Sequence, residues 1–252
     1  MLKKRIIPIL NLYKNTLVKS KNFKDYTNVG NLINSIKVYN SQFADEIIIL
    51  NIDNNIAAKD AFSPYIKNIA KVCFMPLTLG GGVRSFEDIS YLIRNGADKV
   101  VVSSILFQNI NIIEKAIDYF GSQSIVACID VKKINNEYNI FINNGKIKQN
   151  LSLKKIIKFC EDIKIGEIMI QSIDKDGMMN GYDLELIKKI CENTNLPIVA
   201  AGGSGNSENL LDLFKETNVS AAACGSLFNF TDTNPIRIKS FLSNYNINFK
   251  KI

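Results

Sequence analysis

Two glycine-rich turns, Leu79-Gly80-Gly81-Gly82 and Ala201-Gly202-Gly203, each close a short apolar run that opens on a proline, Pro76 and Pro197. Consecutive glycines after a strand leave backbone N–H groups free to approach phosphate oxygens, because no Cβ stands in the way. Farther along, Ser103-Ser104 and Gly225-Ser226 supply small polar pairs that complete each cradle. Residues 71–108 and 192–229 are copies of one another, down to Phe107 and Phe228. Two anion cradles imply a ligand with two anionic ends. The groups available to move protons on such a ligand are carboxylates, lysines and water, since the chain has no histidine. That absence nearly excludes zinc sites and Ser/His or Cys/His nucleophiles. Asp130 and the run Asp174-Lys175-Asp176-Gly177 follow apolar segments, where a carboxylate can serve as acid or base.

The repeat that carries the cradles extends upstream and defines the elements that hold them. Pro8-Ile9-Leu10-Asn11-Leu12 answers Ala127-Cys128-Ile129-Asp130-Val131, and the segment opening at Glu46 answers the one opening at Glu167. Apolar, β-branched runs at residues 6–10, 46–50, 76–79, 99–103, 125–129, 167–171, 197–201 and 221–225 read as strands. Between them, residues 32–43, 62–71, 86–95, 111–120, 153–163, 184–193, 208–216 and 235–243 carry apolar side chains at helical spacing. Eight such units, with strands apolar on both faces, predict a single (β/α)8 barrel over residues 1–252, built from two duplicated half-barrels. In such barrels the chemistry lies at the C-terminal ends of the strands. The residues placed there are Asn11, Asn51, Asp53, Gly80-Gly81-Gly82, Ser103-Ser104, Asp130, Ser172, Asp174 to Gly177, Gly202-Gly203 and Gly225-Ser226. Helices starting near Ser85 and Asn206 are expected to aim their N-terminal dipoles at the same anions.

Composition narrows the partners. A formal charge of +7 suits an anionic ligand. The lysines are scattered, without the aromatic-interleaved basic stripe of a nucleic-acid binder. Cys73, Cys128, Cys160, Cys191 and Cys224 lack ligand spacing, and Cys73, Cys128 and Cys224 fall in strand-like apolar segments. No metal and no cofactor are expected. The apolar run after Met1-Leu2-Lys3-Lys4-Arg5 stops at Asn11, too short for a signal peptide or a membrane span. These features predict a cytoplasmic protein that acts on a small phosphorylated molecule, without membrane or nucleic acid.

Lys4-Arg5-Ile6-Ile7-Pro8, Leu77 to Gly82, Gly96-Ala97-Asp98-Lys99-Val100, Ser172 to Gly177 and Gly181-Tyr182-Asp183 together resemble the cyclase subunit of imidazole glycerol phosphate synthase, over essentially the whole chain. The resemblance implies a glutaminase partner, a heterodimer formed at the N-terminal face of the barrel, and ammonia passing through the barrel to a bisphosphorylated imidazole-carboxamide nucleotide precursor. The implied products are imidazole glycerol phosphate and an aminoimidazole carboxamide ribotide, in histidine biosynthesis. It also implies that Arg5, Glu46, Lys99 and Glu167 form an ammonia entrance and that Asp98 helps to dock the partner. All four entrance residues precede an apolar strand, so alternating charges should ring the lower mouth. Lys19 resembles the lysine of a mobile first loop that closes over the ligand.

The sequence departs from that family at the catalytic rim. The family uses aspartates at the ends of strands one and five as general acid and base; here Asp130 ends strand five but Asn11 ends strand one. An amide has no proton to exchange near neutral pH. Asn51 also stands where the family tends to carry an aspartate, and Asn143-Asn144-Gly145-Lys146 replaces a glycine-rich polar turn. Three activities fit: the family cyclase, a diverged paralogue that passes ammonia to another phosphorylated acceptor such as a nucleotide-linked sugar, or a non-catalytic barrel that activates a glutaminase. Tyr13, Tyr182, Lys14, Lys132 and Lys133 fall near the active face, and Asp183 is placed to cap the helix after it.

Overall fold

Alternating apolar strands and amphipathic helices resolve, in a computed structural model that describes residues 3–250, into a closed parallel barrel. In chain order the elements are β1 (Arg5–Tyr13), β2 (Thr16–Lys21), β3 (Lys24–Gly30), α1 (Leu32–Ser41), β4 (Ile47–Asn51), α2 (Ala58–Phe62), α3 (Ile66–Val72), β5 (Leu77–Gly80), α4 (Phe86–Arg94), β6 (Lys99–Val102), α5 (Ile105–Gln108) and α6 (Ile110–Phe120). They continue with β7 (Ile125–Ile134), β8 (Glu137–Ile142), β9 (Ile147–Lys148), α7 (Leu153–Asp162), β10 (Glu167–Ser172), α8 (Leu184–Cys191), β11 (Ile198–Ala201), α9 (Ser207–Glu216), β12 (Ala221–Cys224), α10 (Ser226–Phe230) and α11 (Pro235–Ser243). The staves run β1-β4-β5-β6-β7-β10-β11-β12, and the ring closes where Arg5 pairs with Ala221. All eight expected strands are staves.

Period-two alternation sorts each stave into two environments. Outward residues such as Ile6, Leu10, Ile47, Ile49, Val100 and Ile168 join the core shared with the helices. Inward residues Ile7, Ile48, Val101, Val126, Cys128, Met169, Val199, Ala201, Ala221 and Ala223 fill the bore. The helices present apolar stripes to the barrel and start at capping side chains: Ser85, Ser152, Asp183 and Asn206 each accept a hydrogen bond from a backbone N–H of the first turn.

Four local expectations are corrected. β1 and β7 run beyond the barrel into hairpins, β1-β2-β3 and β7-β8-β9, at equivalent places in the two half-barrels. Their turns use Lys14-Asn15, Asn22-Phe23 and Asn135-Asn136 in the left-handed region, which asparagine tolerates without the glycine that marks such turns in sequence. The helix expected over 62–71 is α3 and begins only at Ile66, because α2 ends at Phe62 and Pro64 has no N–H with which to continue it. Short helices α2, α5 and α10, outside the helices expected from periodicity but for Phe62, follow the staves β4, β6 and β12. Cys73 caps the end of α3 and is not in a strand.

Asp88, nearly buried, accepts from the backbone N–H groups of Lys59, Arg84 and Ser85 and thereby ties α2, the first glycine turn and α4 together. Asp88→Ala strands those donors and removes half of a capping box, so urea unfolding should show a loss of about 2 kcal/mol.

Candidate active site

A cavity of about 550 Å³ opens at the C-terminal ends of the staves. Asn11, Lys19, Gly81, Gly82, Ser103, Ser104, Asp130, Asp176, Gly177, Gly202, Gly203, Gly225 and Ser226 line it, whereas Asp174 lies outside it and accepts from Lys133 N (2.7 Å). The first cradle, at the ends of β5 and β6, has Arg84 and Lys146 on the same cavity wall, while the second, at the ends of β11 and β12, has Lys19. Gly81 sits at φ +79°, and a Cβ there would overlap the carbonyl oxygen of Asn51. The turn that presents its amide therefore exists only for glycine.

The helix ends facing the anion sites are not those expected. The first turns of α4 and α9 are closed by their own capping boxes, Ser85 with Asp88 and Asn206 with Asn209. Ser85 and Asn206 are also absent from the cavity wall. The short helices α5 and α10 begin at Ser104 and Gly225 inside the cavity, and neither has a side-chain cap. Leu106, Phe107 and Phe228 already donate to the carbonyls of Ser103, Ser104 and Gly225, so the N–H groups left for an anion are those at the very start of each helix, at Ile105 and at Ser226 and Leu227.

Asp130 is the one carboxylate of β7 on the cavity wall, and it accepts one hydrogen bond, from the thiol of Cys128 on the same strand (3.5 Å). Burial pushes its pKa up to about 7; the thiol bond opposes this and the Asp176 carboxylate adds to it. Asn11 faces the cavity from β1, four staves away across the ring. Asp176 accepts from Ser20 Oγ (2.7 Å) and Gln171 Nε2 (3.1 Å), and burial still holds its carboxyl above the usual range. Asn22 N donates to the Asp176 carbonyl (2.9 Å), so the β2-β3 hairpin is docked on the loop after β10.

The departures at 51 and 143–146 have structural causes. Asn51 Nδ2 donates to the carbonyls of Asp53 and Ile56 and its Oδ1 accepts from Asp53 N, so the amide is consumed in folding the loop behind Gly82. An aspartate could not donate to either carbonyl. Asn143, Asn144 and Gly145 are successive left-handed residues, and Asn143 bonds Ser104 in both directions while Asn144 donates to the Ile52 carbonyl. The turn thus braces the first cradle.

At the opposite mouth, Arg5, Glu46, Lys99 and Glu167 form a closed square. Arg5 bonds Glu46 (2.7 Å) and Glu167, and Lys99 bonds both carboxylates at 2.9 Å. Thr78 Oγ1 donates to Glu46 (2.6 Å). Burial disfavours the charge on Glu167, but Arg5 and Lys99 outweigh it and hold its carboxyl below the usual range. Asp98 is exposed beside this square, with one carboxylate oxygen held by Leu77 N (2.8 Å).

The histidine biosynthesis protein family model matches residues 5–234. Three relatives bear the name imidazole glycerol phosphate synthase subunit HisF. The protein from Hydrogenobaculum sp. is 37% identical across 99% of this chain and 100% of its own length. That from Lactococcus lactis is 36% identical across 98% and 96%, and that from Saccharolobus solfataricus 37% across 96% and 97%. The chain belongs to the histidine biosynthesis protein family.

Within this family member, several cavity residues carry no sequence signal of their own. Ser20, Arg84 and Lys146 reach the cavity through the hairpins and loops, whereas Gln171 lies on β10, two residues on from Met169, where the alternation of the strand marks it as inward. Tyr182 is core, its hydroxyl on the Ala223 carbonyl, while the half-buried Lys133 pairs with Glu185. Asp183 caps α8 as expected. No helix among the described residues is long and apolar enough to cross a membrane. Gly177, at φ +72°, lies so close to the Ser20 carbonyl that a Cβ would overlap it. Gly177→Ala should therefore lift the β2-β3 hairpin off the rim, seen as faster proteolysis between Lys21 and Lys24 and a roughly tenfold rise in KM.

Proposed function

We propose that the chain is the cyclase subunit of an imidazole glycerol phosphate synthase. It receives ammonia from a glutaminase docked at the lower mouth and delivers it to a bisphosphorylated imidazole-carboxamide ribonucleotide precursor gripped by both cradles. The products are imidazole glycerol phosphate and aminoimidazole carboxamide ribotide. One observation carries this reading: the charged square, the apolar bore and the two-cradle cavity lie in succession along the same inward-facing rows of side chains. A nitrogen source at one end and a doubly anionic acceptor at the other fit that order.

Asp130 is the proton-transferring group on the β7 side. As a base it must be ionised, so kcat/KM should fall as pH drops through about 7. Asp130→Asn should lower kcat by about a hundred- to ten-thousand-fold with ammonium salt and with glutamine alike. An Asp130→Asn protein that keeps its ammonia-driven rate rules the cyclase reading out.

Arg5, Glu46, Lys99 and Glu167 act as the ammonia entrance, and the exposed Asp98 beside them helps to seat the partner. Glu167→Gln keeps the shape but removes one charge from the square. In the complex with its glutaminase, product formed per glutamine hydrolysed should drop at least about twofold while the ammonia-driven rate is unchanged; equal coupling would deny the square a gating role.

A further inference from the structure

Lys19 is a buried ammonium without a counterion. It is 6% exposed, its Nζ makes one hydrogen bond, to the Ile9 carbonyl (2.6 Å), and no carboxylate among the described residues comes within ion-pair distance. An isolated cation is expensive to bury, so its retention calls for a task. Ile9 and Asn11 are the cavity-facing residues of β1, and the hairpin register, Asn11 opposite Val18, delivers Lys19 to that same wall. A Cβ on Gly225 would overlap its Nζ, which fixes the amine at the junction of β1 and β12. β7, which carries Asp130, lies four staves away on the far side of the ring.

We propose that Lys19 is the second proton-transferring group of the cavity, working across the barrel from Asp130 on the wall where Asn11 cannot. This rests on the cyclase reading and deepens it. Addition of ammonia to a carbonyl acceptor forms a C–N bond and opens the C=O π bond. The Asp130 carboxylate takes a proton from the entering nitrogen, and the Lys19 ammonium gives one to the oxygen. Loss of water reverses both transfers: protonated Asp130 protonates the departing hydroxyl, the neutral Lys19 amine takes a proton from nitrogen, and both groups return to their starting states.

Electrostatics agree with the geometry. Burial lowers the Lys19 pKa to about 8, opposed by the Asp176 carboxylate and the Cys224 thiol. Those are the titratable groups facing it from the loop after β10 and from β12; Tyr26 lines the cavity from β3, and β1 offers only the Asn11 amide. A donor that must stay protonated loses activity as pH rises through its pKa. At fixed free ammonia, kcat/KM of the chain should therefore trace a narrow bell, rising through about 7 with Asp130 and falling through about 8 with Lys19.

Lys19→Arg keeps a cation beside the second cradle but does not titrate in this range. It should lower kcat by about a hundredfold or more, leave KM within about threefold, and abolish the alkaline limb. Asn11→Asp supplies the missing carboxylate on the same wall and should move that limb to higher pH. If Lys19→Arg raises only KM, or keeps an alkaline limb near that of the parent, Lys19 is a phosphate ligand alone and the proposal falls. If Lys19→Arg is too inactive to profile, an unmoved limb in Asn11→Asp overturns it equally. The cyclase reading stands or falls separately, on Asp130→Asn.

Discussion

Parallel closure of the staves converts the period of a strand into an axis through the molecule. On β1 the inward series is Arg5, Ile7, Ile9, Asn11; on β6 it is Lys99, Val101, Ser103; on β10 it is Glu167, Met169, Gln171. Because all eight strands point the same way, the first members of every series meet at one mouth and the last at the other. The apolar middle members keep the two apart. Everything functional in the chain depends on that sorting, since an antiparallel or open sheet would scatter the same residues over both edges.

The two ends treat charge in opposite ways. At the lower mouth two cations and two carboxylates neutralise one another at close range, and Thr78 takes up a further lone pair of Glu46. Each charge has an opposite charge within hydrogen-bond reach, and Arg5 with Lys99 holds the Glu167 carboxyl below the usual range despite burial. At the upper rim Asp130 has only a thiol for a donor and Lys19 only a carbonyl for an acceptor. Poorly compensated burial drives a carboxylate up and an ammonium down, and the two approach each other near neutrality. The lower ring pairs its charges, while the upper two stand unpaired on opposite walls of the cavity.

Much of this was legible beforehand because it is local. Gly81-Gly82 and Gly202-Gly203 announce their turns through the lack of a side chain, and the strand-entry charges announce the square because each immediately precedes an apolar run. What the helices do at the cradles was not legible. Ser85 and Asn206 look like N-termini aimed at an anion, but they close capping boxes with Asp88 and Asn209 and stand off the cavity wall. α5 and α10, too short for a periodic signal, begin inside the cavity. The hairpins escaped notice for a related reason: Asn135-Asn136 and Asn22-Phe23 adopt left-handed turns without the glycine that advertises them.

By itself the sequence determined the alternation of strand and helix, its doubling, the glycine turns and which residues begin and end each stave, since those depend on neighbours in the chain. Only the tertiary structure decided that Asn51 is a scaffold amide, that Asp176 latches the first hairpin, and that Lys19 stands alone opposite Asp130. Those properties arise from desolvation and from partners far away in sequence, such as Gln171 for Asp176 and Gly225 for Lys19. A side chain's acidity is set by what surrounds it after folding, and no spacing along the chain records that.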